Sequence, residues 1–328
     1  MPGPWLSVGL LLTVGSLPLT AGSAASEVVR PAGASPLGTR IGDTLKGHTG
    51  PVLALAVGKR SDGTPVIVSG GEEDSTVRIW DLDSGKPLGK PIVSSRDIMW
   101  GVATERLRDG TPVIAATAGG VRSVVGLWNL NTGKHIKRSF SEPFPTTTSN
   151  LATGRRSDGT PVVVTGNTEG RTRIWSMETG KKLSTYLFSC HECQARALAI
   201  GKRRDGTPVA VSANTDYPLL DEDVPDGKIW VYNLNTGKSV GKSIRIPATA
   251  FAGMAVGQRR DGSTVLGYGD DSGNVSVWDL DTGSVVGEPF TAHSGTIFTV
   301  AMGKRSDGTP VLITGGRDKA IRVWSLGS

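Results

Sequence analysis

Serine, histidine and aspartate, the three residue types of a hydrolase triad, occur together early in the chain as Ser69, His48 and Asp74. A serine hydroxyl activated by a histidine, with a carboxylate orienting the imidazole, catalyses acyl transfer. The same types recur at His191, Ser212 and Asp226, and with threonine replacing serine at His293, Thr314 and Asp318. A hydrolase needs one site with a substrate pocket, so three equivalent copies favour a structural role.

The two cysteines, Cys190 and Cys193, flank His191 and suggest a second kind of chemistry, metal binding. Structural zinc takes four ligands, and this segment supplies fewer, so we predict no metal and no other cofactor. We expect the two cysteines to lie in a loop. A local disulfide outside the cytoplasm and a pair of reduced thiols both remain open.

The third candidate is the acidic segment TDYPLLDEDVPDG, Thr215–Gly227. Carboxylates are calcium ligands, but the spacing of a complete calcium loop is absent from Asp221, Glu222 and Asp223. Tyr217, Leu219 and Leu220 add apolar side chains to the same segment. We predict a partner-binding loop here, with an inert insertion as the alternative.

The elements that must position these residues are short strands. The chain has 328 residues, of which 37% are hydrophobic, with 45 Gly and 19 Pro. Short runs rich in Val, Ile and Thr alternate with Gly, Asp and Pro clusters, which is typical of strands joined by tight turns. No long segment has helical periodicity, so the sequence predicts an all-β fold.

One unit recurs six times at intervals of 46 to 56 residues. Its hairpin signal, DGTP or DGST, begins at Asp62, Asp109, Asp158, Asp205, Asp261 and Asp307. Each unit predicts four strands, which in the first are Pro51–Val57, Pro65–Ser69, Thr76–Asp81 and Lys86–Ile92. A fixed period in this range indicates stacked copies of one supersecondary unit, and four antiparallel strands per copy suit a β-propeller blade.

The segments GHTGPVLALAV and VSGGEEDSTVRIWDLDSG resemble a WD40 repeat, and the resemblance covers residues 39–328. It implies a β-propeller of six four-stranded blades. Seven blades are the alternative, because Leu19–Arg30 faintly resembles part of a repeat. With the propeller at residues 39–328, residues 26–38 form a linker. We expect the protein to be a monomer.

The resemblance also implies a hydrogen-bonded set of four residues, a tetrad, within a blade. The tetrads are His48, Ser69, Asp74 and Trp80; His191, Ser212, Asp226 and Tyr232; and His293, Thr314, Asp318 and Trp324. The family generally binds proteins or peptides without catalysis, and the residues before the tetrad aspartates, Glu73, Pro225 and Arg317, commonly line the binding face in relatives. An enzyme acting at the central channel is the alternative.

The segment TRIGDTLKGH aligns with SVVGEPFTAH, which precedes the sixth copy, so that Gly42 matches Gly287. The sixth copy reaches Ser328 directly after its third strand. We therefore predict that residues Arg40–Leu45 supply the outer strand of the last blade, a closure for which WD40 propellers are known.

The formal charge of +6 gathers before the DG turns, which a propeller places on one face. This basic ring comprises Lys59, Arg60, Arg106, Arg108, Arg155, Arg156, Lys202, Arg203, Arg204, Arg259, Arg260, Lys304 and Arg305. It could dock an anionic partner such as nucleic acid or a membrane. No aromatic residues interleave with the cations, which argues against binding of single-stranded nucleic acid. The alternative is pairing with Asp81, Asp83, Asp279 and Asp281. We expect the opposite face to be acidic, with Glu72, Glu73, Asp270 and Asp271 beside the long loop.

The N-terminal 25 residues are apolar and then rich in small residues, which suits a signal peptide. Against export, no Lys or Arg precedes Arg30. The sequence therefore leaves secretion and a cytoplasmic location open. Because Gly, Ser, Thr and Pro interrupt the apolar stretch, we expect no transmembrane span.

Overall fold

The computed structural model describes residues 35–93, 99–118, 124–141, 148–167, 172–183, 193–216, 227–241, 243–246 and 253–327. All of them belong to one unit, Ala34–Ser328. The signal-peptide prediction for residues 1–25 lies outside the described residues, as does most of the predicted linker.

The described residues contain strands and no α-helix, and the strands form antiparallel sheets. The first strand, β1, is Arg40–Leu45. Sheet 1 contains β2 (Val52–Lys59), β3 (Pro65–Gly71), β4 (Thr76–Asp81) and β5 (Ile92–Val93). Sheet 2 contains β6 (Met99–Arg106), β7 (Pro112–Ala118), β8 (Val124–Asn129) and β9 (His135–Ser141). Sheet 3 contains β10 (Thr148–Arg155), β11 (Pro161–Asn167) and β12 (Thr172–Ser176).

The second half of the chain repeats this pattern. Sheet 4 contains β13 (Cys193–Lys202), β14 (Pro208–Asp216), β15 (Gly227–Asn233) and β16 (Ile244–Ile246). Sheet 5 contains β17 (Gly253–Gln258), β18 (Thr264–Gly269), β19 (Asn274–Asp279) and β20 (Phe290–Thr291). Sheet 6 contains β21 (Ile297–Lys304), β22 (Pro310–Gly316) and β23 (Ile321–Ser325), and β1 is its fourth strand.

The pairing of β1 with β23 joins the two ends of the described chain. Arg40 lies opposite Trp324, and Leu45 lies opposite Ile321. Gly38 N–H also donates to the carbonyl of Ser325 at 3.0 Å, so the contact begins before β1, within the predicted linker.

The first hairpin turn of each sheet follows from its Asp-Gly pair. Asp62 Oδ1 accepts the backbone N–H of Thr64 at 2.9 Å, and Gly63 has a φ of +88°, which glycine adopts without strain. The hydrogen bonds from Thr64 lower the pKa of Asp62. A short turn of this kind fixes which residues of the two strands face each other.

The predicted fourth strand of the first unit, Lys86–Ile92, is wrong in its extent. After an isolated bridge between Trp80 and Pro87, the chain leaves the sheet and returns as β5. Gly89, with a φ of +77°, lies at the interruption, because a left-handed residue breaks the alternation that a continuous strand requires.

The segment around the cysteines also differs from the prediction. Cys193 is the first residue of β13 and lies opposite Asp216, so it belongs to a strand and not to a loop. The predicted loop Thr215–Gly227 loses both ends to β14 and β15. The reason is that the β13–β14 hairpin is longer than its counterparts, so Thr215 and Asp216 pair with Gln194 and Cys193. Gly227 pairs with Ile246 of β16.

The apolar core lies between the sheets. Six clusters of buried side chains each join two consecutive sheets, and one of them joins sheet 6 to sheet 1 through Val323, Ile313, Ile67 and Trp80. The first strands of the sheets, β2, β6, β10, β13, β17 and β21, are called inner strands below. Each lies against the inner strand of the next sheet, and β21 lies against β2.

Three consecutive residues from each inner strand, such as Leu55–Val57 and Val300–Met302, line one cavity of about 150 Å³. Its walls are mostly Leu, Ala, Val, Ile and Met.

In the part of the chain that the structure describes, no helix is long and apolar enough to cross a membrane.

Candidate functional site

The first predicted tetrad is a continuous chain of hydrogen bonds. His48 precedes β2, Ser69 lies on β3, Asp74 lies in the β3–β4 turn, and Trp80 lies on β4. The indole Nε1–H of Trp80 donates to Ser69 Oγ at 2.9 Å, and Ser69 Oγ lies 2.7 Å from His48 Nε2. His48 Nδ1 lies 2.9 Å from Asp74 Oδ2. The chain thus connects the loop before the inner strand to the two middle strands.

Sheet 6 repeats this arrangement with threonine. Trp324 Nε1–H donates to Thr314 Oγ1 at 2.9 Å, and Thr314 Oγ1 lies 2.8 Å from His293 Nε2. His293 Nδ1 lies 2.8 Å from Asp318 Oδ1. Repetition of the distances in two sheets, despite the change from serine to threonine, shows that the fold sets the geometry.

The distances match a Ser-His-Asp triad, but the surroundings do not suit catalysis. Ser69 and Thr314 are 0% exposed, so no substrate carbonyl can reach either hydroxyl. Each hydroxyl oxygen also accepts an indole N–H, which draws electron density from the oxygen and makes it a weaker nucleophile. These groups therefore satisfy one another inside the sheet.

The remaining sheets carry only parts of the tetrad. In sheet 4, Ser212 and Tyr232 lie on neighbouring strands, and the predicted partners His191 and Asp226 lie outside the described residues, as does Cys190. Sheet 3 has a Trp–Thr pair that was not predicted, in which Trp175 Nε1–H donates to Thr165 Oγ1 at 2.9 Å. The sequence contains a signal for this pair, because Thr165 lies two residues after Val163, the residue that pairs with Trp175.

Burial controls the charge state of the tetrad histidines. It lowers the pKa of His48 and of His293, and this outweighs the nearby carboxylates of Asp74 and Asp318. Burial opposes ionisation of Asp74 as well, but its hydrogen bonds and His48 leave the pKa of Asp74 lowered. Neutral histidines that accept the hydroxyl proton and donate to the carboxylate fit this arrangement.

We expect the free energy of unfolding to fall as the pH drops from 7 towards 5. Unfolded histidines bind protons below about pH 6.5, whereas the folded ones resist protonation, so acid favours the unfolded chain by at most about 3 kcal/mol per pH unit for two histidines. Urea titrations at several pH values measure this slope. His48→Gln/His293→Gln should flatten it, and an unchanged slope would show that these histidines titrate normally.

One face carries the turns that follow the tetrad serine and threonine. Glu73 and Arg317 are exposed there, and Lys319 Nζ donates to the carbonyl of Thr49 at 2.6 Å, from sheet 6 to the segment before β2. We call this the loop face. The predicted acids Glu72, Glu73, Asp270 and Asp271 lie in turns of this kind, and Arg317 and Lys319 add positive charge beside Asp318. The acidic character of the whole face stays a prediction, because the long acidic segment lies outside the described residues.

Other residues predicted on the loop face have local roles or lie outside the described residues. Asp270 accepts the N–H of Asn274 at 2.7 Å and so shapes its own turn. The partner-binding candidates Tyr217, Leu219, Leu220, Asp221, Glu222, Asp223 and Pro225 lie outside the described residues.

The opposite face, here called the turn face, carries the basic ring. Its arginines mostly join neighbouring sheets. Arg60 and Arg156 donate to the carbonyls of Asn131 and Asn235, Arg203 and Arg305 to the carboxylates of Asp281 and Asp83, and Arg259 to the carbonyl of Leu326. The acceptors lie two or three residues after the strand-ending aromatic of the next sheet, and Arg305 links sheet 6 to sheet 1.

The predicted acid partners are thus half correct. Asp83 and Asp281 pair with arginines at 3.1 and 2.8 Å. Asp81 and Asp279 instead accept the backbone N–H groups of Ser84 and Thr282 within their own turns. A carboxylate at the start of a tight turn is satisfied locally, so it is not available to a neighbouring sheet.

The family described as "WD domain, G-beta repeat" matches the chain at residues 40–81 and 283–325. The first match spans β1 to β4, and the second reaches β23. No curated protein matches the chain in sequence. WD40 repeats generally mediate protein–protein interaction, and proteins built from them are typically noncatalytic. The matched segments contain His48 and His293 with the hydrogen-bonded tetrads to which these histidines belong, and the two matches support assignment of the chain to a WD40-repeat family.

Proposed function

We propose that the six sheets form a closed six-bladed propeller that holds a protein or peptide partner on its loop face, without catalysis. The contact of β21 with β2 and the apolar cluster shared by sheets 6 and 1 support closure. A seventh blade would have to separate strands that lie against each other.

The burial of Ser69 and Thr314 carries the noncatalytic part of the proposal. The hydroxyls that resemble nucleophiles are 0% exposed and hydrogen-bonded on both sides. The size of the central cavity, as the described residues line it, also supports a noncatalytic role, since about 150 Å³ is smaller than the roughly 300 Å³ at which ligand pockets begin. Its lining is almost entirely aliphatic, so it also lacks acid–base groups.

The loop face is the better binding surface because its charged side chains are exposed and differ between repeats. Glu73 in the first repeat corresponds to Arg317 in the sixth, and both are exposed. Their tetrad neighbours, Asp74 and Asp318, hold the turns in place through His48 and His293. A rigid turn that presents a variable side chain lowers the entropy lost on binding.

Affinity capture tests the proposal with the variant Glu73→Arg/Arg317→Glu, which leaves the net charge unchanged. We expect the intact chain to retain specific proteins and this variant to lose at least one of them. The control Lys86→Glu/Glu288→Arg exchanges the same charges at exposed positions away from the loop face. Equal retention by all three proteins, or equal loss in both variants, would contradict binding at the loop face.

A further inference from the structure

Within the basic ring, the residues that end the inner strands form a class distinct from the arginines that join neighbouring sheets. The last residues of five inner strands are cations, namely Lys59, Arg106, Arg155, Lys202 and Lys304, and the sixth is Gln258. Because the inner strands line one cavity, their ends surround its opening on the turn face. We call these five residues the inner cations.

The two arginines among the inner cations are held by backbone oxygens. Arg106 donates to the carbonyls of Lys59 and Arg60 at 3.1 and 2.8 Å. Arg155 donates to the carbonyls of Gly159 and Arg106 and to the Glu105 carboxylate. Their charge therefore stays at the opening while most of their donors are occupied.

The three lysines differ from these arginines. Lys59, Lys202 and Lys304 are exposed, and within the described ranges their ammonium groups have neither a hydrogen-bond partner nor an acid partner. An ammonium group without a partner keeps its donors for a ligand, and three of them around one opening reinforce each other's field.

Acids of the turn face accept hydrogen bonds within their own turns or pair with arginines, so their oxygens are not directed at the three lysines. Asp62, Asp158, Asp205 and Asp307 each accept the N–H of a threonine two residues on. Glu105, which lies one residue before the end of its inner strand, pairs with Arg155 at 3.2 Å. The turn aspartates stay negatively charged, but at the ends of the inner strands five cations stand against the one carboxylate of Glu105, so the opening has an excess of positive charge.

We propose that the inner cations bind a compact polyphosphate-type anion at the turn-face opening of the central cavity. Lysine ammonium groups bind phosphate as point charges, without the planar geometry that arginine imposes. The aliphatic cavity above the opening excludes entry of a charged group, so the anion rests on the opening. This inference rests on the proposed closed ring but not on partner binding at the loop face.

Titration calorimetry with sodium tripolyphosphate at low ionic strength tests the proposal. The variant Lys59→Gln/Lys202→Gln/Lys304→Gln removes the unpaired inner cations. We expect an affinity loss of at least about tenfold, and a steep fall in wild-type affinity as salt is raised.

The matched control is Lys86→Gln/Lys134→Gln/Lys238→Gln. These exposed lysines lie in the outer turns of the same face, and the change in net charge is identical. We expect the control to bind within about threefold of the wild type, as screened distant charges should. Equal losses in both variants, or no binding of tripolyphosphate by the wild type at millimolar concentration, would overturn the proposal. Capture of a protein on the loop face would be unaffected by either result.

Discussion

Deleting residues 39–46 is expected to lower the melting temperature by about 10 °C, the largest stability effect that we predict for any change. The deletion removes β1, and with it the outer strand of sheet 6 and the buried side chain of Leu45. It also removes the carbonyl of Thr39 that accepts the N–H of Ser325 at 2.8 Å. Without β1, strand β23 becomes an exposed edge beside the core shared by sheets 6 and 1.

A peptide supplied in trans distinguishes a missing strand from general damage. A synthetic peptide of residues 35–47 should restore several degrees to the deletion variant, because strand addition stabilises the folded state by mass action. The same peptide with Leu45→Asp should not, since a carboxylate would replace the buried leucine. If the deletion variant had the same melting temperature as the intact chain, β1 would contribute nothing to stability.

The β1 strand shows how much of the fold can be predicted from a repeat in the sequence. Its bounds, Arg40–Leu45, follow from alignment with the segment that precedes the sixth repeat. The glycines that this alignment matches, Gly42 and Gly287, have φ values of +67° and +69°. Repeated segments fold alike because each copy meets similar neighbours, so one pattern predicts every copy.

The partners of the arginines could not be predicted in the same way. Arg305 and Asp83 are 222 residues apart, and only the adjacency of sheets 6 and 1 brings them together. Arg106 donates to backbone carbonyls, which every residue has, so no side-chain pattern indicates these contacts. The basic ring was therefore visible as charge, but its division into engaged arginines and unpaired lysines required the structure.

The ends of some strands could not be predicted, because there the structure departs from the pattern of the repeat. The long hairpin of sheet 4 extends β13 to Cys193, whereas the first repeat suggested a loop there. The interruption at Gly89 was equally hidden, because glycine is compatible with both a strand and a turn. In each case the local backbone geometry determined where the strand ends, and residue type alone does not determine that geometry.

Gly303→Ala is expected to lower the free energy of unfolding by about 2 kcal/mol, through overpacking between sheets 6 and 1. A Cβ at this position would lie 2.3 Å from Val57 Cγ1, whereas ordinary contact requires well over 3 Å. Since both residues lie on inner strands, neither can move without shifting a sheet. Urea unfolding of the purified variants measures the effect.

The double variant Gly303→Ala/Val57→Ala tests whether that one contact is responsible. Removing the valine methyl groups makes room for the new one, so the double variant should lose less than the two single variants together, by about 1 kcal/mol. Gly295→Ala is the neutral control, because its Cβ would meet no atom within 4 Å. Additive losses would mean that Gly303 and Val57 do not touch in solution.

Gly201→Ala turns the same measurement into a test of closure. Its Cβ would lie 2.3 Å from Val256 Cγ1, the equivalent contact between sheets 4 and 5, which are consecutive in the chain. In a closed ring the contact between sheets 6 and 1 is equivalent to every other, so Gly201→Ala and Gly303→Ala should destabilise by similar amounts. If the ring were open, or held a further blade between sheets 6 and 1, Gly303 would face solvent or a different neighbour. Gly303→Ala would then behave like Gly295→Ala, while Gly201→Ala would keep its full cost.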